Sequence, residues 1–297
     1  MYKLLVLDMD GTLLNEHQKI SDLTKEAVKR IATTDIKVVI ATGRTKQGID
    51  PYIKELGLDA SDNYSIVCSG ALVTTNTDEA LWRSSLSYED FMEIYHLKEK
   101  HNLDINVYTD DSILIEKDNY YSEFDAVANN LPLVTVDFNT IDQTMPLLKT
   151  MLINEDLTMA KDFNKIFPSM NVTMPEIEAK EGYNRRLFYS FDIFSDDFMR
   201  RFNISRVTPY NIEISNKNAN KRAGVEFLAN MLDIKQEEII CIGDSGNDRQ
   251  MIKYAGLGVA MGNAFPEIKE IADVVTKDNN NDGVAHVIST YLINNAI

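Results

Sequence analysis

Four short stretches of this sequence place chemically capable side chains at the ends of apolar runs or at the start of a helix. Leu4-Leu5-Val6-Leu7 leads into Asp8-Met9-Asp10-Gly11-Thr12, two carboxylates on a glycine turn. The run ending at Ala41 leads into Thr42-Gly43-Arg44, the run ending at Ile242 into Gly243-Asp244-Ser245-Gly246-Asn247-Asp248, and Lys221 opens a helical pattern. In a parallel α/β sheet, ligands bind beyond the carboxyl ends of the strands, so these stretches could meet. Carboxylates gathered in one small pocket repel or raise one another's pKa unless a cation is present. All-oxygen ligands in a partly hydrated site favour Mg²⁺, held by one or two carboxylates, waters and a substrate phosphate. A metal, an aspartate and a phosphate together make covalent phosphoryl transfer to the aspartate the natural reaction.

The elements needed to bring these groups together can be read from the apolar periodicity. Strands are expected at Lys3 to Leu7, Ile36 to Ala41 and Ser65 to Cys68, alternating with helices at Ser21 to Ala32 and Thr45 to Leu56. The alternation resumes with helices at Asn220 to Leu232 and Asp248 to Ala255, strands at Ile239 to Ile242 and Leu257 to Met261, and a closing helix from Val284. Alternating β and α patterns predict a Rossmann-like doubly wound parallel sheet. The middle reads differently. Paired β runs (Ile105 to Tyr108, Ser112 to Glu116), helical patterns (Tyr88 to His101, Asp156 to Phe167) and a long aromatic strand from Arg186 to Phe194 predict an inserted α+β module. Breaks near Ser84-Ser85 and Thr208-Pro209 divide the chain into a catalytic core, 1–84 with 214–297, and an insert, 85–213.

Charge narrows the partners. The net charge of −16 repels nucleic acid and anionic membranes, so a phosphorylated substrate needs local positive charge or a metal. Of the acidic residues, 23 lie between 85 and 213 against 12 basic ones, so the insert carries most of the imbalance. Cys68 and Cys241 each sit in an apolar run and read as buried free thiols, which fits a reducing compartment. A first strand beginning this early leaves no room for a signal peptide, and no apolar run approaches the ~20 residues that span a bilayer. The expectation is a cytoplasmic protein with a small phosphorylated metabolite as partner and neither nucleic acid nor membrane. Oligomeric state is unreadable.

The order D-x-D-G-T, T-G-R, a lysine and G-D-x-x-N-D resembles the haloacid dehalogenase superfamily. The spacing and the mid-chain insert resemble its Cof-like sugar-phosphatase branch, whose members carry a large type 2 cap. The resemblance covers the core at both ends of the chain and the position of the insert. It implies that Asp8 attacks phosphorus and becomes an aspartyl phosphate, and that Asp10 protonates the leaving oxygen and then deprotonates water. It implies that Thr42 and the Gly43 amide hold phosphoryl oxygens, with Arg44 as a further phosphate contact and Asn247 touching the nucleophile or the phosphate. Lys221 would neutralise charge shared by Asp8 and the transferring group. Mg²⁺ would be held by Asp8, the Asp10 carbonyl and Asp244, with Asp248 in or near its coordination sphere. The chain departs from the family at Cys68-Ser69-Gly70, where many relatives have asparagine in place of Ser69. Arg222 also follows Lys221 where glycine is frequent, and Lys217 competes with Lys221.

Simpler readings stand beside these. Asp8 and Asp10 could form a solvated turn, and Asp244 and Asp248 could cap a helix, as aspartate often does. Asp278-x-Asn280-x-Asp282-Gly283 matches half of an EF-hand loop, but Ser289 stands where the bidentate glutamate belongs. Gly256-x-Gly258 precedes a strand-like run and lacks the third glycine of a dinucleotide fingerprint. Arg185-Arg186 and Arg200-Arg201 read first as solvated ion pairs, and Tyr183, Tyr189 and Tyr210 as packing residues. The expected activity is Mg²⁺-dependent hydrolysis of sugar phosphates or phosphorylated cofactors. The alternatives are a phosphomutase or phosphotransferase on the same scaffold, and a non-catalytic phosphometabolite sensor.

Overall fold

The computed structural model describes residues 1–154, 191–208 and 211–293. Two compact units divide the chain, one made of Met1–Ser84 with Asn218–Ile297 and the other of Ser85–Lys217.

The first unit begins with β1 (Leu4–Leu7), α1 (Asp22–Ala32), β2 (Lys37–Ala41), α2 (Lys46–Leu56) and β3 (Tyr64–Val67). Ser21 and Thr45, expected as the first residues of helices, are instead their caps, with side chains accepting from Thr24 N and Gly48 N. A hydroxyl at that position satisfies an amide that has no partner within the helix. Beyond β3 the chain turns back through β4 (Leu72–Thr75) and β5 (Ala80–Arg83), an antiparallel extension absent from the sequence expectation.

The second unit contains α3 (Tyr88–Lys100), β6 (Asp104–Tyr108), β7 (Ile113–Ile115), α4 (Tyr120–Asn129), β8 (Leu133–Thr135), β9 (Lys149–Ile153), α5 (Asp196–Arg201), β10 (Phe202–Thr208) and β11 (Asn211–Asn216). Its strands order as β10-β11-β9-β6-β7-β8, antiparallel except between β7 and β8. Alternation along the strands gives the sheet two different faces. Ile105, Val107, Leu152, Ile212 and Ile214 pack with Phe91, Phe138 and Phe198, while Tyr108, Ile113, Ile115, Met151 and Ile153 pack with Tyr121 and Leu131. The expected strand running to Phe194 is not a strand where described. Phe194 N bonds back to Phe191 O at 3.0 Å, and Ser195 caps α5. The rest of that stretch, the helix expected from Asp156 to Phe167, Arg185, Arg186, Tyr183, Tyr189 and Tyr210 lie outside the described residues.

The chain returns to the first unit with α6 (Lys221–Met231), β12 (Ile239–Gly243), α7 (Arg249–Tyr254), β13 (Leu257–Ala260), α8 (Pro266–Lys269), β14 (Val274–Val275) and α9 (Gly283–Val287). The eight-stranded sheet runs β14-β13-β12-β1-β2-β3-β4-β5, parallel from β14 through β3. β1 is central, and Leu4, Leu5, Val6 and Leu7 are fully buried, which explains its unbroken apolar run. Register aligns the strand ends: Leu7 pairs with Ile40 on one side and Ile242 on the other. Asp8, Thr42 and Asp244 therefore leave the sheet at one edge.

Candidate active site

Asp8 is 4 % exposed, and its amide donates to Ile242 O at 3.0 Å, so the end of β1 stays zipped to β12. Lys221 Nζ lies 2.5 Å from Asp8 Oδ1 and 2.6 Å from Asp248 Oδ1. The lysine reaches this point because α6 starts against the turn after β3. Gly70 has φ +93°, and a Cβ there would stand 2.2 Å from Asn220 O. Asn220 in turn caps α6, its Oδ1 accepting from Ala223 N at 3.0 Å. Lys217, the rival lysine, is exposed.

Asp248 arranges its neighbours. Besides Lys221, it accepts through Oδ2 from the amides of Asp244 and Ser245, both at 3.0 Å. This folds the turn after β12 over the cluster and turns Asp244 toward Asp8. Oxygens of Asp8, Asp244 and Asp248 lie within 4.8 Å of one another. Gly11 (φ +81°) closes the other side, where a Cβ would meet Asp244 Oδ2 at 2.4 Å.

One lysine does not balance three carboxylates. Burial, then the nearby Asp248, push the Asp8 carboxyl well above its usual range despite Lys221. Burial and Asp248 push Asp244 up to about 6. Burial alone would lower the Lys221 pKa, but Asp248 and Asp8 hold it raised, so it stays charged. Asp244 Oδ1 is buried without a hydrogen-bond partner. An orphaned carboxylate oxygen beside two further acids is a donor set that fits a hard divalent cation, which would relieve both the repulsion and the missing bond.

The other expected residues surround this cluster. Thr42 is 1 % exposed, its amide donates to Ile66 O at 2.9 Å, and its Oγ1 accepts from Arg44 N at 3.1 Å. Gly43 abuts Ser69, whose Oγ would stand 3.3 Å from a Cβ at 43. Cys68 and Ser69 both have positive φ, 51° and 57°. Cys68 therefore belongs to a turn, not to the strand expected to end there. The Asp10 side chain is half-exposed and turned to Arg44, not to the other three carboxylates. Asn247 is exposed, with its Oδ1 accepting from Ser245 Oγ at 2.8 Å.

Sequence reasoning missed Gln18, which bonds to Arg44, and Asn263, whose Nδ2 donates to Gly11 O at 2.8 Å. Asn263 lies just past β13, so the strand-end rule could have found it; Gln18 gave no such signal. The segment Asp278-x-Asn280-x-Asp282 fastens the loop after β1: Asn279 Nδ2 donates to Leu14 O and Glu16 N donates to Asn280 Oδ1. Its carboxylates serve this structure, with Asp278 accepting from Asn280 N and Asn281 Nδ2 and Asp282 from Ser21 Oγ. Arg201 pairs with Asp90 and Glu93 on the surface of its own unit. No helix among the described residues is long and apolar enough to cross a membrane.

Comparison with known proteins agrees with this fold. A model of the haloacid dehalogenase-like hydrolases matches residues 5–288. The chain is 34 % identical over 289 residues to the Bacillus subtilis protein named "Putative phosphatase YxeH", covering 97 % of both chains. It is 28 % identical over 301 residues to 5-amino-6-(5-phospho-D-ribitylamino)uracil phosphatase YcsE of the same organism, covering 98 % of this chain and 96 % of that one. Among solved structures, a haloacid dehalogenase-like hydrolase from Bacteroides thetaiotaomicron superposes with a TM-score of 0.75 at 28 % identity, covering 97 % of this chain and 99 % of that one.

Proposed function

The chain belongs to the haloacid dehalogenase-like hydrolases, and from that premise we propose that it is a cytoplasmic, Mg²⁺-dependent phosphatase. It hydrolyses small phosphomonoesters, sugar phosphates or phosphorylated cofactors, through an aspartyl phosphate on Asp8. The observation that carries this reading is the single buried ammonium of Lys221 shared between Asp8 and Asp248 beside the under-bonded Asp244. That arrangement holds a nucleophilic carboxylate still and leaves it short of positive charge. A dianionic phosphoryl group with its metal would supply the rest.

In the first half-reaction an Asp8 oxygen attacks phosphorus as the ester P–O bond breaks, and Asp10 gives its proton to the departing oxygen. In the second, Asp10 takes a proton from the water that attacks phosphorus, and the Asp8 carboxylate is released. Thr42 Oγ1 and the Gly43 amide hold non-bridging oxygens, and Lys221 stabilises the charge passing between Asp8 and phosphorus. Asp8, Asp244 and the Asp10 main-chain carbonyl are the groups to hold Mg²⁺, with Asp248 orienting them. When bound, the metal neutralises charge on the transferring group. Residues 85–213 are assigned the choice of leaving group. The two buried cysteines, Cys68 and Cys241, neither in a disulfide, support a reducing compartment.

The test is inorganic phosphate release from a panel of phosphometabolites, with Mg²⁺ and with EDTA, for the wild type and Asp8→Asn. Asp8→Asn abolishes turnover while circular dichroism stays unchanged. Wild-type turnover in that variant would overturn the mechanism. Isomerised sugar phosphate in place of released phosphate would identify a mutase.

A further inference from the structure

Arg44 is held against one carboxylate by several contacts. Its Nε donates to Asp10 Oδ2 at 2.9 Å and its Nη2 to Asp10 Oδ1 at 2.6 Å, a bidentate fork. Nη2 also donates to Gln18 Oε1 at 2.6 Å, and the guanidinium lies 5.6 Å from the centroid of the Tyr52 ring. The main chain of Arg44 is equally fixed, its N–H bonded to Thr42 Oγ1 at 3.1 Å and its carbonyl accepting from Cys68 N at 2.8 Å. The fork thus ties the residue two positions after the nucleophile to the turn that carries Thr42 and Gly43. Asp10 itself lies on a solvent-facing turn, its side chain 49 % exposed. Nothing else described fastens its carboxyl group.

We propose that Arg44 is a positioning residue that fixes the Asp10 carboxyl for proton exchange with the leaving group, and that Gln18 holds the fork in place. The proposal rests on the reading of Asp8 and Asp10 above and departs from the sequence expectation that Arg44 contacts phosphate. A carboxyl oxygen has two lone-pair sites, so the fork can use one side of the group while the solvent-facing side carries the proton. Three N–H groups of Arg44 are committed to Asp10 and Gln18, and a phosphate contact by these would release Asp10 just as its orientation matters. Lysine cannot make the same two parallel bonds.

The experiment compares kcat/KM, which reports the step in which the leaving group departs, for an alkyl phosphate with a poor leaving group and p-nitrophenyl phosphate with a good one. Only the former depends strongly on protonation of the departing oxygen. Arg44→Ala is expected to depress the alkyl ester about 100-fold more than the nitrophenyl ester, the low end of general-acid effects. Inhibition by inorganic phosphate should move less than about threefold, because no transition-state or ground-state phosphate contact is lost. Arg44→Lys restores only a small part of the ratio. Asp10→Asn shifts the ratio in the same way, and the double variant adds nothing further, the mark of two residues acting as one unit. Gln18→Ala, a milder change that leaves the fold in place, shifts the ratio in the same direction. Equal losses on both esters with weakened phosphate inhibition would make Arg44 a phosphate clamp and overturn the proposal. An unchanged ratio in Arg44→Ala, or in Gln18→Ala should Arg44→Ala not fold, would overturn it too. Turnover by Asp8→Asn would instead sink the underlying mechanism, so the two failures are distinguishable.

Discussion

Each unit of this protein buries a lysine among acids, and the two clusters differ in their balance. In the first unit Lys221 faces Asp8 and Asp248, with Asp244 close by. In the second, Lys149 lies 2.6 Å from Glu213 and 4.6 Å from the Tyr108 ring centroid, and Asp125 is the further acid nearby. Around Lys149 the acids have local partners. Asn106 Nδ2 and Asn129 Nδ2 donate to Asp125, and Ser122 Oγ donates to Asn106. Around Lys221 one carboxylate oxygen of Asp244 has none. The difference follows from sheet type. The antiparallel sheet presents Lys149, which opens β9, and Glu213, inside β11, on one face flanked by neighbouring strands, where side chains crowd in and satisfy them. A parallel sheet delivers its acids past the strand ends, where the next partner must be a ligand.

Removing the lysine from each cluster tests the contrast directly. Lys221→Met should lower kcat/KM by about 10³-fold, the upper range for losing one preorganised electrostatic contact, measured by phosphate release. Lys149→Met should act on folding instead. Leaving Glu213 buried without its partner costs about 3–5 kcal/mol in urea unfolding, and replacing both residues by apolar ones should recover most of it. If Lys149→Met instead abolished catalysis with stability unchanged, the division between a reactive and a structural cluster would be lost.

Protonation sharpens the comparison. Burial pushes the Asp125 carboxyl up to about 6, with Lys149 and its amide partners only partly offsetting it. A carboxyl raised in the folded state binds its proton more tightly than the unfolded chain does. Its contribution is therefore fully present below the unfolded value near 4 and is lost as pH rises through about 6, a change of up to about 3 kcal/mol. Asp125→Asn should flatten that slope between pH 4 and 6 in denaturant titrations. A metal tests the other cluster: Mg²⁺ at one hundred times its Kd should stabilise the wild type by about 2.7 kcal/mol by mass action. The same Mg²⁺ should leave the melting temperature of Asp244→Asn nearly unchanged.

The core alternation was legible because strands buried on both faces must be continuous apolar runs and amphipathic helices must cross between them. The β4–β5 extension escaped notice because its two short runs carry little periodicity. The helix Tyr120–Asn129 was missed because its buried side mixes Tyr121, which packs into an apolar cluster, with Ser122 and Asp125, which hydrogen-bond to asparagines, so no clean apolar period shows.

The sequence alone determined which residues would stand at the strand ends, Asp8, Thr42 and Asp244, since local pattern fixes where each strand stops. It also marked Lys221, through the helical run that it opens. Only the tertiary structure decided how these groups face one another. Register levels β1 between β2 and β12, and the bare Cα of Gly70 lets Asn220 approach and sets Lys221 between Asp8 and Asp248. It also turned Arg44 onto Asp10 through Gln18, a partner 26 residues distant. A strand's end is written in neighbouring residues, whereas the direction of a long charged side chain is set by contacts that no local pattern encodes.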